Sequence, residues 1–174
     1  MPVSRNIACV LLACIASGVA CAQNVGHLGV RVEVLAPVLE IVVTSAQVDF
    51  AQQRADAGEV VLDPETGEIS AKVDGSHQLG IVQITGHDGT QFTMDVIAPS
   101  QLKGQQDAIA FGFRWAQSSS CGGAAYEEIN TRRAFTGRLG ENGRTCVRFG
   151  GAISLHDAST GLYEGAVQVR LFTL

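Results

Sequence analysis

Two cysteines carry the clearest chemistry in this sequence. The chain has five cysteines, of which Cys9, Cys14 and Cys21 fall in an apolar N-terminal stretch, and Cys121 and Cys146 lie in the remainder. Such an isolated pair in an oxidising compartment is typical of a disulfide. Closing a loop of about 25 residues would stabilise the fold by about 3 kcal/mol in the chain-entropy model. A catalytic thiol is the alternative, and the second cysteine disfavours it.

The other residues that could bind a metal do not form a recognised motif. The sequence contains no H-x-H or H-E-x-x-H arrangement, so we expect no metal centre. The four histidines are His27, His77, His87 and His156. Asp63, Glu65 and Glu68 gather carboxylates around one turn without the EF-hand spacing. An acidic turn is favoured there over a weak calcium site.

Motifs of covalent and nucleotide chemistry are missing from the sequence. There is no G-x-S-x-G elbow, P-loop or dinucleotide fingerprint. The glycine-rich stretch 137–143 lies between β-type segments, whereas a phosphate cradle would precede a helix. We therefore expect no cofactor and no enzymatic activity. An exported enzyme remains the third hypothesis, because paired carboxylates of glycoside hydrolysis are recognised only in three dimensions.

The charge balance argues against a nucleic-acid partner. The chain has 17 acidic and 12 basic residues, a net charge of −5, whereas a polyanion binder needs clustered positive charge. Arg132, Arg133 and Arg138 are the only closely spaced basic residues, and Glu127 and Glu128 precede them. A solvated loop is the favoured interpretation of this stretch.

The N-terminus predicts export. Arg5 precedes an apolar run from Ile7 to Ala16, and Ala20 and Ala22 occupy the small positions of a cleavage site. Residues 1–22 are therefore predicted to be a cleaved signal peptide, which directs the protein to the periplasm, the cell surface or a fimbrium. The alternative is a lipobox ending at Cys14. No other stretch is long and apolar enough for a membrane span.

The remaining residues, 23–174, alternate apolar and polar positions over many short runs, which predicts β-strands throughout. Three dipeptides between such runs, Asp74-Gly75, Asp88-Gly89 and Asn142-Gly143, predict hairpins. A short helix near Ala124–Thr131 is the one predicted exception. We expect one all-β domain, an antiparallel β-sandwich with one disulfide, and the alternative is a small closed barrel. The predicted core includes Ile109, Phe111, Phe113, Trp115, Val147 and Phe149.

Four motifs carry a resemblance to a known kind of protein. They are the proline-led β run "VEVLAPVLEIVVT", the short Val48-Asp49-Phe50 strand, the Gly150-Gly151 pair before "AISL", and a terminal G-x-Y-x-G followed by an alternating strand. The last motif comprises Gly161, Tyr163, Gly165, Val167, Val169 and Leu171. With these motifs the chain resembles a family of exported bacterial pilin-like domains of unknown function, similar in style to chaperone–usher fimbrial subunits.

The sequence departs from that pattern at two places. The family usually has a glycine after the phenylalanine of its V-x-F strand, where this chain has Ala51. Gly161 matches a glycine that chaperone–usher pilins carry before the last strand. Their penultimate aromatic residue has no exact counterpart, because Thr173 occupies that place and Phe172 precedes it.

The resemblance implies an Ig-like, pilin-like sandwich that lacks one strand. Its C-terminal strand would border a groove, which a periplasmic chaperone and then the N-terminal extension of a neighbouring subunit would fill. Within residues 23–36, Leu28, Val30, Val32 and Val34 form the candidate donor strand. Burying each of them fully would contribute about 1.5–3 kcal/mol.

A self-complete sandwich is the competing hypothesis. In that case residues 23–36 form the protein's own first strand, and Pro37 marks a kink where the strand changes sheets. The protein would then be a monomeric exported binding module, with its ligand site in the loops of residues 118–144.

Overall fold

The computed structural model describes residues 38–71, 75–122 and 125–174. The predicted signal peptide and the candidate donor strand lie outside these residues. The described chain is all-β, with antiparallel sheets and no helix. The ten strands are β1 (Glu40–Ser45), β2 (Glu59–Leu62), β3 (Gly80–Thr85), β4 (Gln91–Ile97), β5 (Gln101–Lys103), β6 (Ala108–Ser118), β7 (Glu127–Glu128), β8 (Ala134–Arg138), β9 (Arg144–Ser154) and β10 (Gln168–Thr173).

The strands form two sheets. The larger has the order β1-β3-β9-β6-β5, with β2 also paired to β9 and β7 to β6; the smaller has the order β10-β4-β8. Strand β9 is central because β3 and β2 occupy successive parts of one edge and β6 the other. Its Gly150 permits a close approach, since a Cβ there would lie 2.3 Å from the Leu62 carbonyl oxygen.

Both sheets contribute to one hydrophobic core. This main core contains Val82 and Ile84 of β3, Phe92, Met94 and Val96 of β4, Trp115, Ile129, Leu139, Val147 and Phe149. Trp115 is almost fully buried, and its indole nitrogen donates to the Thr131 carbonyl oxygen at 2.6 Å. Because neighbouring side chains of a strand point to opposite faces, the predicted alternation along β6 and β9 places their large residues here. A second cluster, including Phe50, Ile109 and Phe111, lies at the other end of the larger sheet.

The predicted disulfide between Cys121 and Cys146 is confirmed, with Cα atoms 5.3 Å apart. Cys146 is buried on β9, and Cys121 lies on the exposed loop after β6. The bond therefore holds that loop against the outer side of the larger sheet. Tyr126 lies on this side too, with the Arg148 guanidinium 3.7 Å from its ring centroid.

Two predicted hairpins are wrong. Gly89 and Gly143 do adopt positive φ angles, as the turn residues require. However, the connection at 86–90 joins β3 to β4, and the one at 139–143 joins β8 to β9, so each crosses between sheets. The two crossings lie side by side, with the Gly86 amide donating to the Gly143 carbonyl oxygen at 2.9 Å. Asp74 lies outside the described residues.

Two further predictions need correction. The helix near Ala124–Thr131 is wrong: within the described residues 125–131 the chain forms β7, and Ile129 donates to the Trp115 carbonyl oxygen at 3.0 Å. Pairing with β6 there satisfies the backbone groups that a helix would have used. The prediction of strands throughout residues 23–174 also fails at residues 68–71, which show one isolated bridge, Ile69 with Leu62.

Candidate functional site

The candidate site is a groove between the edges of the two sheets. Leu39 and Ile41 of one edge face Leu171, Phe172 and Thr173 of the other, around a volume of about 560 Å³. Such a volume falls in the range of small-molecule clefts, about 300–1,000 Å³. Size alone therefore does not distinguish a ligand pocket from a strand-binding groove, and the backbone around it is more informative.

The backbone pattern of β10 follows from one hydrogen bond. The Leu174 amide donates to the Gln91 carbonyl oxygen at 3.4 Å, continuing the antiparallel register of β10 and β4. Hydrogen-bonded and non-hydrogen-bonded pairs alternate along such a ladder. The backbone groups of Val169, Leu171 and Thr173 therefore point away from β4, toward the groove.

The same argument applies to β1. The Gly86 amide donates to the Gly143 carbonyl oxygen in the register of β3 and β9. The even-numbered residues of β3 therefore form their backbone hydrogen bonds with β9, and the odd-numbered residues form theirs with β1. The register of β1 and β3 then directs the backbone groups of Leu39 and Ile41 away from β3, into the groove. Side chains of Leu39 and Ile41 pack against the main core, as do those of Val169 and Leu171. Two strand edges thus face one another across an apolar floor.

The other strand edges in the described part of the chain are partly covered. At β8, which pairs only with β4, the outward carbonyl oxygens of Ala134 and Arg138 accept hydrogen bonds from the Thr131 and Thr145 hydroxyls at 2.6 and 3.3 Å. At β7, the Glu128 amide donates to the Glu65 carboxylate at 2.9 Å.

The edges of β5 and β2 are partly covered by backbone. Lys103 of β5 exchanges two hydrogen bonds with Glu164, at 2.8 and 3.0 Å. Along β2, Ser70 donates to Val61 at 2.8 Å, and Asp63 just beyond the strand donates to Glu68 at 2.9 Å. Proteins normally block such edges against unwanted pairing. The edges of β1 and β10 that face the groove differ from the others in that no hydrogen bond to them is found among the residues that the structure describes.

The G-x-Y-x-G motif lies in the segment that carries the chain from β9 to β10. The Tyr163 hydroxyl donates to the Asp107 carboxylate, and its oxygen lies 2.8 Å from the Ser159 carbonyl oxygen. The Ser159 amide donates to the same carboxylate at 2.8 Å. These two hydrogen bonds hold the pKa of Asp107 below its usual value, and the carboxylate raises the pKa of Tyr163. We call these three residues the clasp.

The structure places the remaining motif residues as follows. A Cβ at Gly165 would lie 2.8 Å from the Leu102 side chain, whereas one at Gly161 would meet nothing within 4 Å. Val167 lies just before β10, and Val169 and Leu171 belong to it; all three pack on the main core. Leu39, Ile41 and Phe172 were missed as groove residues. The alternation of Leu39 and Ile41 around the start of β1 could have indicated those two residues, whereas no sequence signal indicated Phe172.

Two carboxylates of the predicted acidic turn accept hydrogen bonds from backbone amides. The Asp63 carboxylate accepts from the Glu65 amide at 2.9 Å, and the Glu65 carboxylate accepts from Glu128. Among the residues that the structure describes, no three His, Cys, Asp or Glu side chains converge as metal ligands. Arg132, Arg133 and Arg138 are exposed, and Arg138 belongs to β8 instead of a loop. A search of the described residues for an apolar helix long enough to cross a membrane found none.

Comparison with known proteins found no family model and no curated protein that matches this chain.

Proposed function

We propose that this protein is an exported, fimbrial subunit-like assembly protein whose copies are joined by β-strand addition. In this proposal the fold is an Ig-like sandwich that lacks one strand, and the groove between β1 and β10 is the vacancy. The occupant is the segment Leu28–Val34 of a second copy. After removal of residues 1–22 the protein would act in the periplasm or at the cell surface, where a chaperone strand would cover the groove before assembly.

One observation carries the proposal: among the described residues, the facing edges of β1 and β10 have no strand partner across an apolar floor, whereas the other edges are partly covered. A strand in this groove would obtain main-chain hydrogen bonds from β10 and bury alternate side chains against Leu39, Ile41 and Leu171. Residues 28–34 alternate Leu, Val, Val and Val with Gly, Arg and Glu, which matches a strand with one buried face.

The clasp is consistent with the Ig-like part of the proposal. The Tyr163 hydroxyl oxygen lies beside a backbone carbonyl oxygen four residues upstream. This arrangement is similar to the tyrosine corner of Ig-like sandwiches, although it stands here just before the last strand. By fixing the segment before β10, the clasp would hold one wall of the groove in position.

The test begins with the protein exported from its host, on SDS gels with and without boiling. A ladder of multimers that collapses on boiling supports strand addition, whereas a single monomer band in both lanes overturns it and favours the self-complete sandwich. The double variant Val30→Asp/Val32→Asp should abolish the ladder while the signal of buried Trp115 shows a folded monomer. Gly29→Asp, on the opposite face of the same segment, is the matched control and should keep the ladder.

The groove itself can be tested in trans. The folded Val30→Asp/Val32→Asp variant keeps β1 and β10 unchanged, so a labelled peptide of residues 25–36 should bind it, with a rise in fluorescence polarisation. The same peptide carrying both aspartates should not bind. Equal binding of both peptides would contradict a groove that selects the alternating apolar face. An unfolded double variant would instead assign Val30 and Val32 to the protein's own core.

A further inference from the structure

We propose that the face of the smaller sheet away from the main core, which we call the outer face, binds an anionic polysaccharide, a chain of pyranose rings that carry carboxylates. This inference goes beyond the proposed function and does not depend on it, because β10, β4 and β8 of a single chain form the whole face.

The burial of β4, the central strand of this sheet, identifies the side chains on the outer face. Phe92, Met94 and Val96 are buried in the main core. Because neighbouring side chains of a strand point to opposite sides, Thr93 and Asp95 point outward. They are only partly buried, so nothing else in the described chain covers them fully.

Two rows of outward side chains cross the three strands. In the first row Thr93 lies between Phe172 of β10 and Thr136 of β8. In the second row Asp95 lies beside Arg170. The hydroxyl oxygens of Thr93 and Thr136 are 3.3 Å apart. Side chains on the diagonal between neighbouring rows are about 7–8 Å apart, so a ligand of one or two pyranose rings would contact both rows.

Phe172 supplies the apolar part of the outer face. Its side chain is 51% exposed although it belongs to a strand. A pyranose ring has a side made of C–H groups, whose partial positive charge suits the negative face of an aromatic ring. A sugar stacked on Phe172 would bring its hydroxyl groups over Thr93 and Thr136. Threonine hydroxyls both donate and accept hydrogen bonds, as sugar hydroxyls do.

The charge of the outer face is opposite in sign to that of the chain, which has a net charge of −5. The three strands contain one carboxylate, Asp95, against the exposed arginines Arg138 and Arg170. Two further exposed arginines, Arg132 and Arg133, lie immediately before β8. There the Arg133 carbonyl oxygen accepts a backbone hydrogen bond from β4 at 2.6 Å. A local excess of positive charge on an acidic protein favours an anionic ligand.

The guanidinium of Arg170 is the group best placed to bind a carboxylate. Arg54 and Arg114 are engaged in salt bridges with Asp56 and Glu128, at 3.0 and 2.8 Å. Within the described part of the chain, no salt bridge to Arg170 is found. Because a guanidinium binds a carboxylate through two parallel hydrogen bonds, Arg170 could hold the carboxylate of a sugar that stacks on the neighbouring ring.

The centre of the outer face favours a polysaccharide over other anionic partners. A nucleic acid requires a longer stripe of clustered positive charge. A membrane surface favours basic residues around a continuous apolar patch, whereas Thr93, Thr136 and Asp95 occupy the centre here. A peptide that adds as a strand requires an open backbone edge, and β4 is paired on both sides.

Affinity electrophoresis of the exported protein in native gels tests this inference, with polygalacturonate in the gel as the probe. The matched ligand is the same polymer with its carboxylates methyl-esterified. We expect the apparent Kd to be about tenfold lower for polygalacturonate, because only its carboxylates form charge-assisted hydrogen bonds with arginine. Equal retardation by the two polymers would overturn the inference.

Substitutions locate the binding to the outer face. Phe172→Ala and Arg170→Gln should each raise the apparent Kd for polygalacturonate by about tenfold, with unchanged urea midpoints because both side chains are exposed. Phe172→Tyr keeps an aromatic ring and should keep the affinity. Arg144→Gln, at an exposed position of β9 in the larger sheet, is the matched charge control. Equal losses in Arg144→Gln and Arg170→Gln would contradict a site on this face.

Co-sedimentation with vesicles of anionic phospholipid and retardation by single-stranded DNA test the other partners. Stronger binding to either than to polygalacturonate would overturn the inference in favour of that partner, and binding to none of the probes would overturn it outright. The SDS ladder separates this result from the proposed function. Retardation of a protein that forms no multimers leaves the polysaccharide site standing while strand addition fails. A heat-sensitive ladder without retardation overturns the polysaccharide site alone.

Discussion

Tyr163 and Asp107 meet across 56 positions of sequence, and their hydrogen bond joins the segment before β10 to the turn between β5 and β6. The ring of Tyr163 occupies the space beside Gly104, where a Cβ would lie 2.6 Å from it. Backbone hydrogen bonds between Lys103 and Glu164 continue the contact. One wall of the candidate groove is therefore held in place by residues of the larger sheet.

The clasp predicts an acid-sensitive contribution to stability. Because the pKa of Asp107 is lowered in the folded protein, its contribution is present above the ordinary aspartate pKa, about 3.9, and is lost as the pH falls through the folded value. Asp107→Asn should therefore flatten the decline of the urea midpoint below about pH 4. Tyr163→Phe removes the main cause of the lowered pKa of Asp107, so it should also flatten the decline, though less than Asp107→Asn does, because the Ser159 amide still donates to the carboxylate. If both variants show the same decline of the urea midpoint below about pH 4 as the unmodified protein, the contribution of the clasp to stability is contradicted.

Gly150 predicts a severe packing effect. Gly150→Ala places its Cβ against the Leu62 carbonyl oxygen, and neither backbone strand can move without losing ladder bonds. We expect a loss of about 1–3 kcal/mol in the free energy of unfolding, the usual cost of overpacking. Gly161→Ala is the matched control, because nothing lies within 4 Å of its added Cβ. Equal urea midpoints for the two variants would refute this account.

The backbone conformation of Ala51 leads us to expect that glycine at this position stabilises the fold. It has a φ of 57°, in the left-handed region, which costs an L-residue about 1–2 kcal/mol. Glycine removes that cost. Its greater conformational freedom in the unfolded chain, however, lowers the free energy of unfolding by about 0.5–1 kcal/mol. Ala51→Gly should therefore raise the free energy of unfolding by about 0.5–1 kcal/mol, as measured in urea. Ala57→Gly, at an exposed position without positive φ, should lower it, and a loss in both variants would contradict the strain at Ala51.

The disulfide predicts a redox-dependent stability. Its sequence separation of 25 residues corresponds to about 3 kcal/mol in the chain-entropy model. Reduction should lower the urea midpoint of the native chain accordingly, with the fold retained in the absence of denaturant because the main core is independent of the loop. Cys121→Ala/Cys146→Ala should match the reduced protein and no longer respond to reductant. A midpoint insensitive to reductant in the native chain would refute the contribution.

Local patterns in the sequence determined the strands and their faces. The two-residue alternation along residues 109–115 and 147–155 identified core residues, because side-chain direction in a strand depends only on position parity. The disulfide followed from the number of cysteines beyond the N-terminal stretch. The turn glycines Gly89 and Gly143 were also recognisable, since their backbone conformation is a local property.

Tertiary structure alone decided which strands pair. Turn residues at 88–89 and 142–143 are the same whether the chain folds into a hairpin or crosses to another sheet, so the sequence could not distinguish them. Pairing of β10 with β4, and the meeting of Tyr163 with Asp107, join positions far apart in the chain. Among the residues that the structure describes, the open edges of β1 and β10 likewise emerge only from the complete strand order, because an unpaired edge is defined by the whole sheet and not by the strand that forms it.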